Sequence, residues 1–126
     1  MKRTIFFTAA FLSFLGLMES RAQNMQNNRN MEKLKLTEEW DKTFPKSDKV
    51  DHSKVTFVNR FGITLAADLY VPKIAVADKF PAIAVSGPFG AVKEQSSGLY
   101  AQTLAERGFL TIAFDPSFTG ESSGQP

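Results

Sequence analysis

The amino-acid sequence predicts an α/β fold in which an antiparallel hairpin precedes one βαβ unit. Three observations predict it. Residues 54–71 contain two alternating runs of apolar residues around a short glycine turn, and residues 82–86 and 109–114 are short, continuously apolar runs. The segment between these two runs has helical spacing. Continuous apolar runs are typical of buried parallel strands, which need a crossover connection such as a helix.

Residues 1–22 have the pattern of a secretory signal peptide. Lys2 and Arg3 give a positive start, residues 5–18 are mostly apolar, and small residues precede a cleavage site before Gln23. The apolar run is shorter than the roughly 20 residues of a membrane-spanning helix. We therefore expect export to the periplasm or the extracellular space, without stable membrane insertion after cleavage. An uncleaved anchor and a buried N-terminal helix are the alternatives.

Composition excludes several classes of function. The 126 residues carry 15 Lys and Arg against 13 Asp and Glu, a net charge of +2, and contain no cysteine. The signal peptide alone accounts for +2, because Lys2, Arg3 and Arg21 stand against Glu19, so the rest is close to neutral. Without a basic stripe we expect no nucleic-acid partner. No disulfide can form, no residues have metal-ligand spacing, and no phosphate-binding loop motif indicates a cofactor.

Residues 23–53 are expected to form an N-terminal arm and linker. The arm starts with an Asn-rich polar stretch. Thr37 is placed to cap a short helix, on which Trp40 and Phe44 would share one face and pack on the main body. Residues 45–53 are a polar spacer in this interpretation.

Two strands with a period of two follow the arm. Residues 54–59 alternate with Val55 and Phe57 on one side, and residues 63–71 form the second run. The connection through Arg60, Phe61 and Gly62 is short. The sequence therefore predicts a β-hairpin.

The βαβ unit consists of a strand at 82–86, a glycine loop, a helix and a strand at 109–114. Ser96 or Ser97 can cap a helix that runs to about Arg107, with Leu99 and Leu104 as its main apolar anchors. Gly108 follows, where a left-handed C-terminal cap is expected.

These motifs resemble the start of the α/β-hydrolases, most closely the dienelactone-hydrolase-like branch. The segments that carry the resemblance are P-A-I-A-V-S-G-P-F-G-A-V-K-E-Q and A-E-R-G-F-L-T-I-A-F-D-P-S-F-T-G-E-S. The resemblance extends from about Trp40 to Pro126 and departs at Phe118, where a glycine is common in the family. It implies that residues 54–126 are the N-terminal part of such a domain, whose strand order is 1-2-4-3-5. The activity it implies is hydrolysis of a small ester-like or lactone-like substrate.

The loop at Gly87–Gly90 is the candidate site. In the family, a backbone N–H after the third strand helps to form the oxyanion hole that stabilises the charge developing during acyl transfer. Pro88 has no N–H, so Phe89 is the first candidate donor and Gly90 the second. From the residues alone, a plain glycine turn between strand and helix is the alternative.

Ser122 lies in a literal G-x-S-x-G match, but its context is wrong for a nucleophile. A nucleophile elbow lies directly between a strand and a helix. The preceding strand ends near Phe114, and four residues follow Ser122. The resemblance places the family's true elbow on a fifth strand that this sequence does not reach. The chain alone therefore lacks the catalytic triad.

Other polar residues receive structural interpretations. His52 is the only histidine. In the family the catalytic histidine follows the serine and the acid in the chain, whereas His52 precedes the first predicted strand, so we expect a solvated loop residue and not the base of a triad. Asp115 is expected to cap the loop after its strand. Lys93 and Glu94 are most simply a solvated pair at the helix entrance, and the alternative, indicated by the family-like A-V-K-E-Q run, is a structural role there.

Two functions are consistent with the sequence. The first is an N-terminal fragment of an exported α/β-hydrolase, inactive alone. The second is a non-catalytic exported binding or interaction module that uses an open sheet edge. In both, the 82–86 strand would present an apolar unpaired edge, so we expect self-association or poor solubility.

Overall fold

The computed structural model describes residues 31–73 and 79–124. The predicted signal peptide and the Asn-rich start of the arm lie outside these residues. The described chain forms a four-stranded mixed sheet with one helix, in the order β1-β2-β4-β3. This order agrees with the 1-2-4-3 portion implied by the resemblance. In the described segments, no helix has the length and apolar character needed to cross a membrane.

Strands β1 (Val50–Val58) and β2 (Thr64–Pro72) form the predicted antiparallel hairpin, with Val50 opposite Pro72 and Val58 opposite Thr64. The turn is held by Asn59, whose Oδ1 accepts the N–H groups of Phe61 and Ile63 at 2.9 and 3.1 Å. β1 begins four residues before the predicted strand. The first residues of β1 that face away from the core are polar, so the sequence in this part of the strand looks like a polar spacer.

The βαβ unit is also present. Strand β3 (Ala82–Ser86) runs parallel to β4 (Leu110–Phe114), and β4 is antiparallel to β2. Helix α1 (Ser96–Ala105) connects the parallel pair and ends two residues before the predicted end. The serine cap predicted for it was wrong, because Gln95 is the N-cap residue and makes no side-chain capping bond. Gly108 has a φ of +96°, as expected for the residue that ends this helix.

The prediction for the buried face of α1 was wrong. Leu99 is 46% exposed and Leu104 is half-buried, whereas the helix buries small and polar residues: Ser97, Gly98, Ala101, Gln102 and Ala105. The helix approaches its neighbours too closely for large side chains. A Cβ at Gly98 would lie 2.2 Å from the Lys93 carbonyl oxygen and 3.1 Å from the Phe44 ring. The short distance between the helix and its neighbours therefore leaves room only for small residues such as glycine and alanine on this face.

The arm packs two aromatic residues on the body without forming a helix. Residues 31–44 contain no helical turn, so the cap predicted at Thr37 does not exist. Trp40 and Phe44 nevertheless meet edge to face with ring centroids 5.7 Å apart, and the Trp40 indole donates to the Phe44 carbonyl at 2.7 Å. Phe44 is 7% exposed, because tertiary contacts replace the predicted helix as its support.

The two faces of the sheet differ. One face, called the covered face here, packs against α1 and the arm. The main core cluster lies at this contact and consists of Val50, Tyr70 and Ala113 of the sheet and Ala101 and Ala105 of α1, with Trp40 and Val85 packed against them. The other, called the open face, consists of the alternate strand positions, and its half-buried or exposed apolar members are Val55, Phe57, Leu69, Val71, Ala82, Ala84, Leu110, Ile112 and Phe114. The single helix in the described residues packs on the covered face.

Candidate functional site

The loop after β3 contains two backbone N–H groups that donate to no acceptor among the described residues. Residues 87–90 turn away from the sheet, and the Ala91 N–H donates to the Pro88 carbonyl at 3.0 Å. Gly90 has a φ of +80°. In the described part of the chain, neither the Phe89 N–H nor the Gly90 N–H donates a hydrogen bond. The Phe89 side chain is fully exposed. The loop could therefore present both N–H groups to a ligand at the carboxyl end of β3, and the oxyanion role remains a prediction.

Ser122 has a structural position. Its Oγ donates to the Asp115 carbonyl at 2.8 Å and accepts the Ala66 N–H at 2.9 Å. Ser123 continues this contact, because its N–H donates to the Thr64 carbonyl and its Oγ accepts the Thr64 N–H. The segment therefore extends along β2 beyond the end of β4. Its hydroxyl already has both a donor and an acceptor partner, and residues 122–124 are not helical.

Lys93 is the centre of a buried ion network, so the expectation of a solvated Lys93–Glu94 pair was wrong. Its side chain is fully buried, and its Nζ donates to Asp115 Oδ2 at 2.7 Å, to Glu121 Oε2 at 2.8 Å and to Glu94. Asp115, also fully buried, accepts the backbone N–H groups of Lys93 and Glu121 at 2.8 and 3.0 Å. Asp115 thus caps its loop as expected and also binds a buried cation. Burial is compensated because each charge has several partners.

The network continues across the covered face to β1, β2 and the arm. Lys54 Nζ lies 2.7 Å from both Glu121 Oε2 and Asp41 Oδ2. Asp41 also binds Lys42 at 2.6 Å, and Lys42 lies 3.0 Å from Asp68 Oδ2. These ion pairs attach the arm to the sheet, since Asp41 and Lys42 belong to the arm.

The network keeps two of its carboxylates, Glu121 and Asp41, in the charged form. Burial alone would raise the pKa of Glu121, but hydrogen bonds from Lys54, Lys93 and the Thr37 N–H outweigh it and hold the pKa at about 2. Burial likewise opposes the charge on Asp41, yet Lys42 and Lys54 lower its pKa to about 2. Burial alone would lower the pKa of Lys93, but its hydrogen bonds to Asp115, Glu121 and Glu94 outweigh burial and raise it. The network therefore stabilises the fold only while its acids are ionised.

Three of these carboxylates are close enough to hold a metal ion. Asp41, Glu94 and Glu121 each offer an oxygen within 4.8 Å of the others. However, Lys54 and Lys93 already bind the same group of oxygens. Two ammonium groups supply the positive charge that such a cluster needs, so the arrangement is a structural ion network.

His52 is not the solvated loop residue that the sequence predicted. It lies in β1 opposite Tyr70, and its Nε2 is 2.8 Å from Oδ1 of the fully buried Asp68. Its ring packs between Trp40 and Tyr70, each with a centroid 5.1 Å away. The missed signal is a period of two: Val50, His52 and Lys54 all point to the covered face. The sequence position of His52 argued against a role as the base of a catalytic triad. The structure gives no support for that role either, because Ser122 is not among the partners of His52.

A cleft of about 840 Å³ lies between the arm and the start of β1. It is lined by residues 33–40 of the arm together with Lys46, His52, Ser53 and Lys54. The Phe89 loop is not part of this lining. The cleft and the candidate oxyanion donors are therefore separate features of the molecule.

Solved structures show what kind of fold this is. The chain is similar to acetyl xylan esterase 1 from Thermoanaerobacterium sp., with a TM-score of 0.53 at 18% identity over 80% of this chain and 32% of that chain. It is similar to DcsB, whose structure was solved with a substrate analogue, with a TM-score of 0.51 at 32% identity over 60% of this chain and 25% of that chain. These neighbours are of the α/β-hydrolase type. The described chain thus has a partial α/β fold of that general kind.

The higher identities are to proteins of unassigned function. The chain is 64% identical over 120 residues to the uncharacterized protein PA2218 of Pseudomonas aeruginosa, matching 93% of this chain and 32% of that protein. The crystal structure of PA2218 gives a TM-score of 0.73 at 74% identity over 75% of this chain and 30% of that chain. The uncharacterized protein YcjY of Escherichia coli is 47% identical over 78 residues, which are 60% of this chain and 26% of YcjY. No family model matches the chain. The chain spans about a third of PA2218 and about a quarter of YcjY.

Proposed function

We propose that this chain is part of an exported α/β-hydrolase that cleaves an ester-like or lactone-like bond in a small molecule. The observation that carries the proposal is the pair of N–H groups at Phe89 and Gly90, at the carboxyl end of β3, which donate no hydrogen bond within residues 31–73 and 79–124. Ligands in open α/β sheets bind beyond the carboxyl ends of the strands. The likeness to esterase-type structures supports the assignment of a reaction class.

The loop would stabilise the oxyanion of the tetrahedral intermediate. Negative charge develops on the former carbonyl oxygen during acyl transfer, and fixed N–H donors lower its energy. The Phe89 N–H is the first donor and the Gly90 N–H the second. Both donors are held by a turn that is already formed, so little reorganisation would be needed when the substrate binds.

The nucleophile, acid and base would come from a segment outside this chain. Ser122 has both hydrogen-bonding partners within the fold, and His52 is held by Asp68. The chain alone is therefore expected not to hydrolyse p-nitrophenyl acetate, whereas intact PA2218 is expected to do so. Turnover by this chain, lost in a Ser122→Ala variant, would overturn the proposal.

The oxyanion role is tested by removing one N–H. Proline at the PA2218 position aligned with Phe89 should lower kcat by roughly 10²- to 10³-fold, as loss of an oxyanion donor does. Alanine at that position keeps the N–H and should retain most of the activity. Equal losses in the two variants would assign the effect to the side chain and contradict the proposed role.

A second candidate is an exported interaction module without catalysis. The outer edge of β3 favours it, because β3 pairs with β4 alone among the described strands. Such an edge can bind an added strand, including one from a second copy. The module predicts a well-folded oligomer by light scattering. Export, common to both candidates, predicts a secreted form whose N-terminal sequencing begins at Gln23.

A further inference from the structure

The loop that carries the two candidate oxyanion donors begins and ends on the same short stretch of chain. Ser86, the last residue of β3, lies opposite Phe114 of β4. At the other end of the loop, Lys93 binds Asp115, the residue that directly follows Phe114. Residues 87–92 are therefore closed off at both ends by the carboxyl end of one strand.

The Asp115 carboxylate makes the second of these attachments with both of its oxygens. Its Oδ1 accepts the backbone N–H of Lys93 at 2.8 Å, and its Oδ2 accepts the Lys93 ammonium at 2.7 Å. The Glu121 N–H also donates to Oδ2, at 3.0 Å. The Lys93 and Asp115 side chains are fully buried, and hydrogen bonds between charged groups are strong where water is excluded. The two contacts between Asp115 and Lys93, called the clasp here, therefore hold the backbone and the side chain of Lys93 together.

The loop inside the clasp is compact. The Ala91 N–H donates to the Pro88 carbonyl at 3.0 Å, and a Cβ at Gly87 would lie 3.2 Å from the Cβ of Ala91. A loop fixed at both ends has fewer conformations than a loop that is fixed at one end, because its ends cannot separate. The directions of the N–H groups in this loop therefore depend on the clasp.

We propose that Asp115 is a positioning residue of the hydrolase, which acts through Lys93 to aim the Phe89 and Gly90 N–H groups at the oxyanion. The inference rests on the proposed function, because these groups bind an oxyanion only if the protein performs acyl transfer. Donors lower the barrier when they are already aimed at the developing charge, and a displacement of about 1 Å can cost roughly 10²-fold in rate. Asp115 itself touches neither the substrate nor the reacting atoms in this mechanism.

The first test measures hydrogen exchange of backbone amides in the full chain by NMR. The reporter is the Ala91 N–H, which lies inside the loop and donates to the Pro88 carbonyl. Asp115→Ala should speed its exchange by at least about tenfold, since the loop loses hydrogen bonds to a charged group. The amides that pair β1 with β2 should change by a smaller factor. Equal acceleration at both places would overturn the proposal.

Lys54→Met is the matched control for this measurement. Lys54 belongs to the same ion network, where it binds Asp41 and Glu121, but it is not part of the clasp. Its loss should leave the ratio of exchange rates between Ala91 and the β1–β2 amides unchanged. A change in this ratio as large as that in Asp115→Ala would show that the whole network acts on the loop, and would overturn the specific role of Asp115.

Asp115→Asn keeps the test decisive if the alanine variant does not fold. The amide oxygen of asparagine can still accept the Lys93 N–H, whereas the ion pair with the Lys93 ammonium is lost. Exchange at Ala91 should then rise by roughly threefold or more relative to the β1–β2 amides. Without such a rise the clasp does not order the loop, and the proposal fails.

The second test measures catalysis by intact PA2218. Alanine at its position aligned with Asp115 should lower kcat for p-nitrophenyl acetate by roughly 10- to 100-fold and change KM by less than about threefold, because misaimed donors weaken transition-state stabilisation. Asparagine at that position should recover part of kcat. A loss of kcat that only matches the loss of folded protein, measured by circular dichroism, would assign a purely structural role and overturn the proposal.

The two tests separate this inference from the proposed function. Absence of turnover by unmodified PA2218 would contradict the hydrolase, and with it the catalytic role of the clasp, even if Ala91 responds to Asp115→Ala. Turnover by PA2218 that is unaffected by alanine at the position aligned with Asp115 would contradict only the positioning role.

Discussion

The covered and open faces use the same strands and differ in how they are completed. On the covered face, Ala113 of β4 is fully buried beneath the helix, and Ala101 and Ala105 of the helix are fully buried on its inner side. Charged residues such as Lys93 and Asp115 are buried there with partners. On the open face, larger apolar residues such as Ile112 remain half-exposed. The difference shows that the burial of a sheet face depends on which elements pack on it. The covered face is buried by a helix and an arm that belong to the same 126 residues. Stability should therefore depend mainly on the covered face.

The largest expected effect is that of Lys93→Met. The substitution removes the cation while Asp115 stays buried, and breaking a buried pair in this way costs about 3–5 kcal/mol. Urea unfolding followed by the fluorescence of Trp40, the only tryptophan, measures the loss. The control is Lys49→Met at an exposed lysine, which should change stability by less than about 0.5 kcal/mol. Similar losses in both variants would contradict the buried network.

The second-largest effect is expected from acid, which should weaken the ion pairs of the covered face. The pKa values of Asp41 and Glu121 are held at about 2 in the folded chain. A lowered pKa gives stability that is present above the unfolded pKa and disappears as the pH falls through the folded value. The free energy of unfolding should thus fall from pH 6 to pH 2, by about 1–2 kcal/mol because solvent screens these partly exposed groups. Glu121→Gln should flatten this dependence, and an unchanged profile would be inconsistent with the ion pairs at Glu121.

The same substitution on the two faces gives a direct comparison. Ala113→Leu adds volume where the alanine is fully buried against the helix, and overpacking costs about 1–3 kcal/mol. Ala84→Leu makes the same change at an exposed site of the open face and should cost less than about 0.5 kcal/mol. Denaturation midpoints decide the outcome. Equal costs would mean that the open face is as tightly packed as the covered face.

The smallest effect on stability, with the clearest effect on solubility, is expected from Ile112→Thr. Threonine keeps the β-branch suited to a strand and makes the open face less apolar. Stability should change by less than about 1 kcal/mol, while the concentration at which the chain aggregates should rise. Val50→Thr on the covered face should instead lose about 1–2 kcal/mol without a gain in solubility.

Strands and connectivity could be predicted from the sequence because they depend on local periodicity. The hairpin and the parallel pair follow from alternating and continuous apolar runs, and the observed order β1-β2-β4-β3 agrees with the resemblance. The buried face of α1 could not be predicted in this way. Leucines usually anchor a helix, but here the close approach at Gly98 admits only small residues, and this distance is set by tertiary packing.

The polar interior was also beyond sequence reasoning. Lys93 and Glu94 are adjacent and oppositely charged, which is typical of a solvated pair. Their burial depends on Asp115 and Glu121, which lie in the loop after β4 and meet Lys93 only in the folded chain. His52 was misplaced for a related reason, since its partner Asp68 is on the neighbouring strand. By contrast, the Phe89 loop was located correctly at the end of β3 because strand and glycine signals are local.

Ser122 has a consequence for genome-wide searches by motif. A search for G-x-S-x-G would select this chain because of Ser122. The hydroxyl of Ser122 already donates to the Asp115 carbonyl and accepts the Ala66 N–H. The two serines of the pattern bind the backbone of the neighbouring strand β2, Ser122 at Ala66 and Ser123 at Thr64. Screens of bacterial genomes for new esterases should therefore require a strand immediately before the serine.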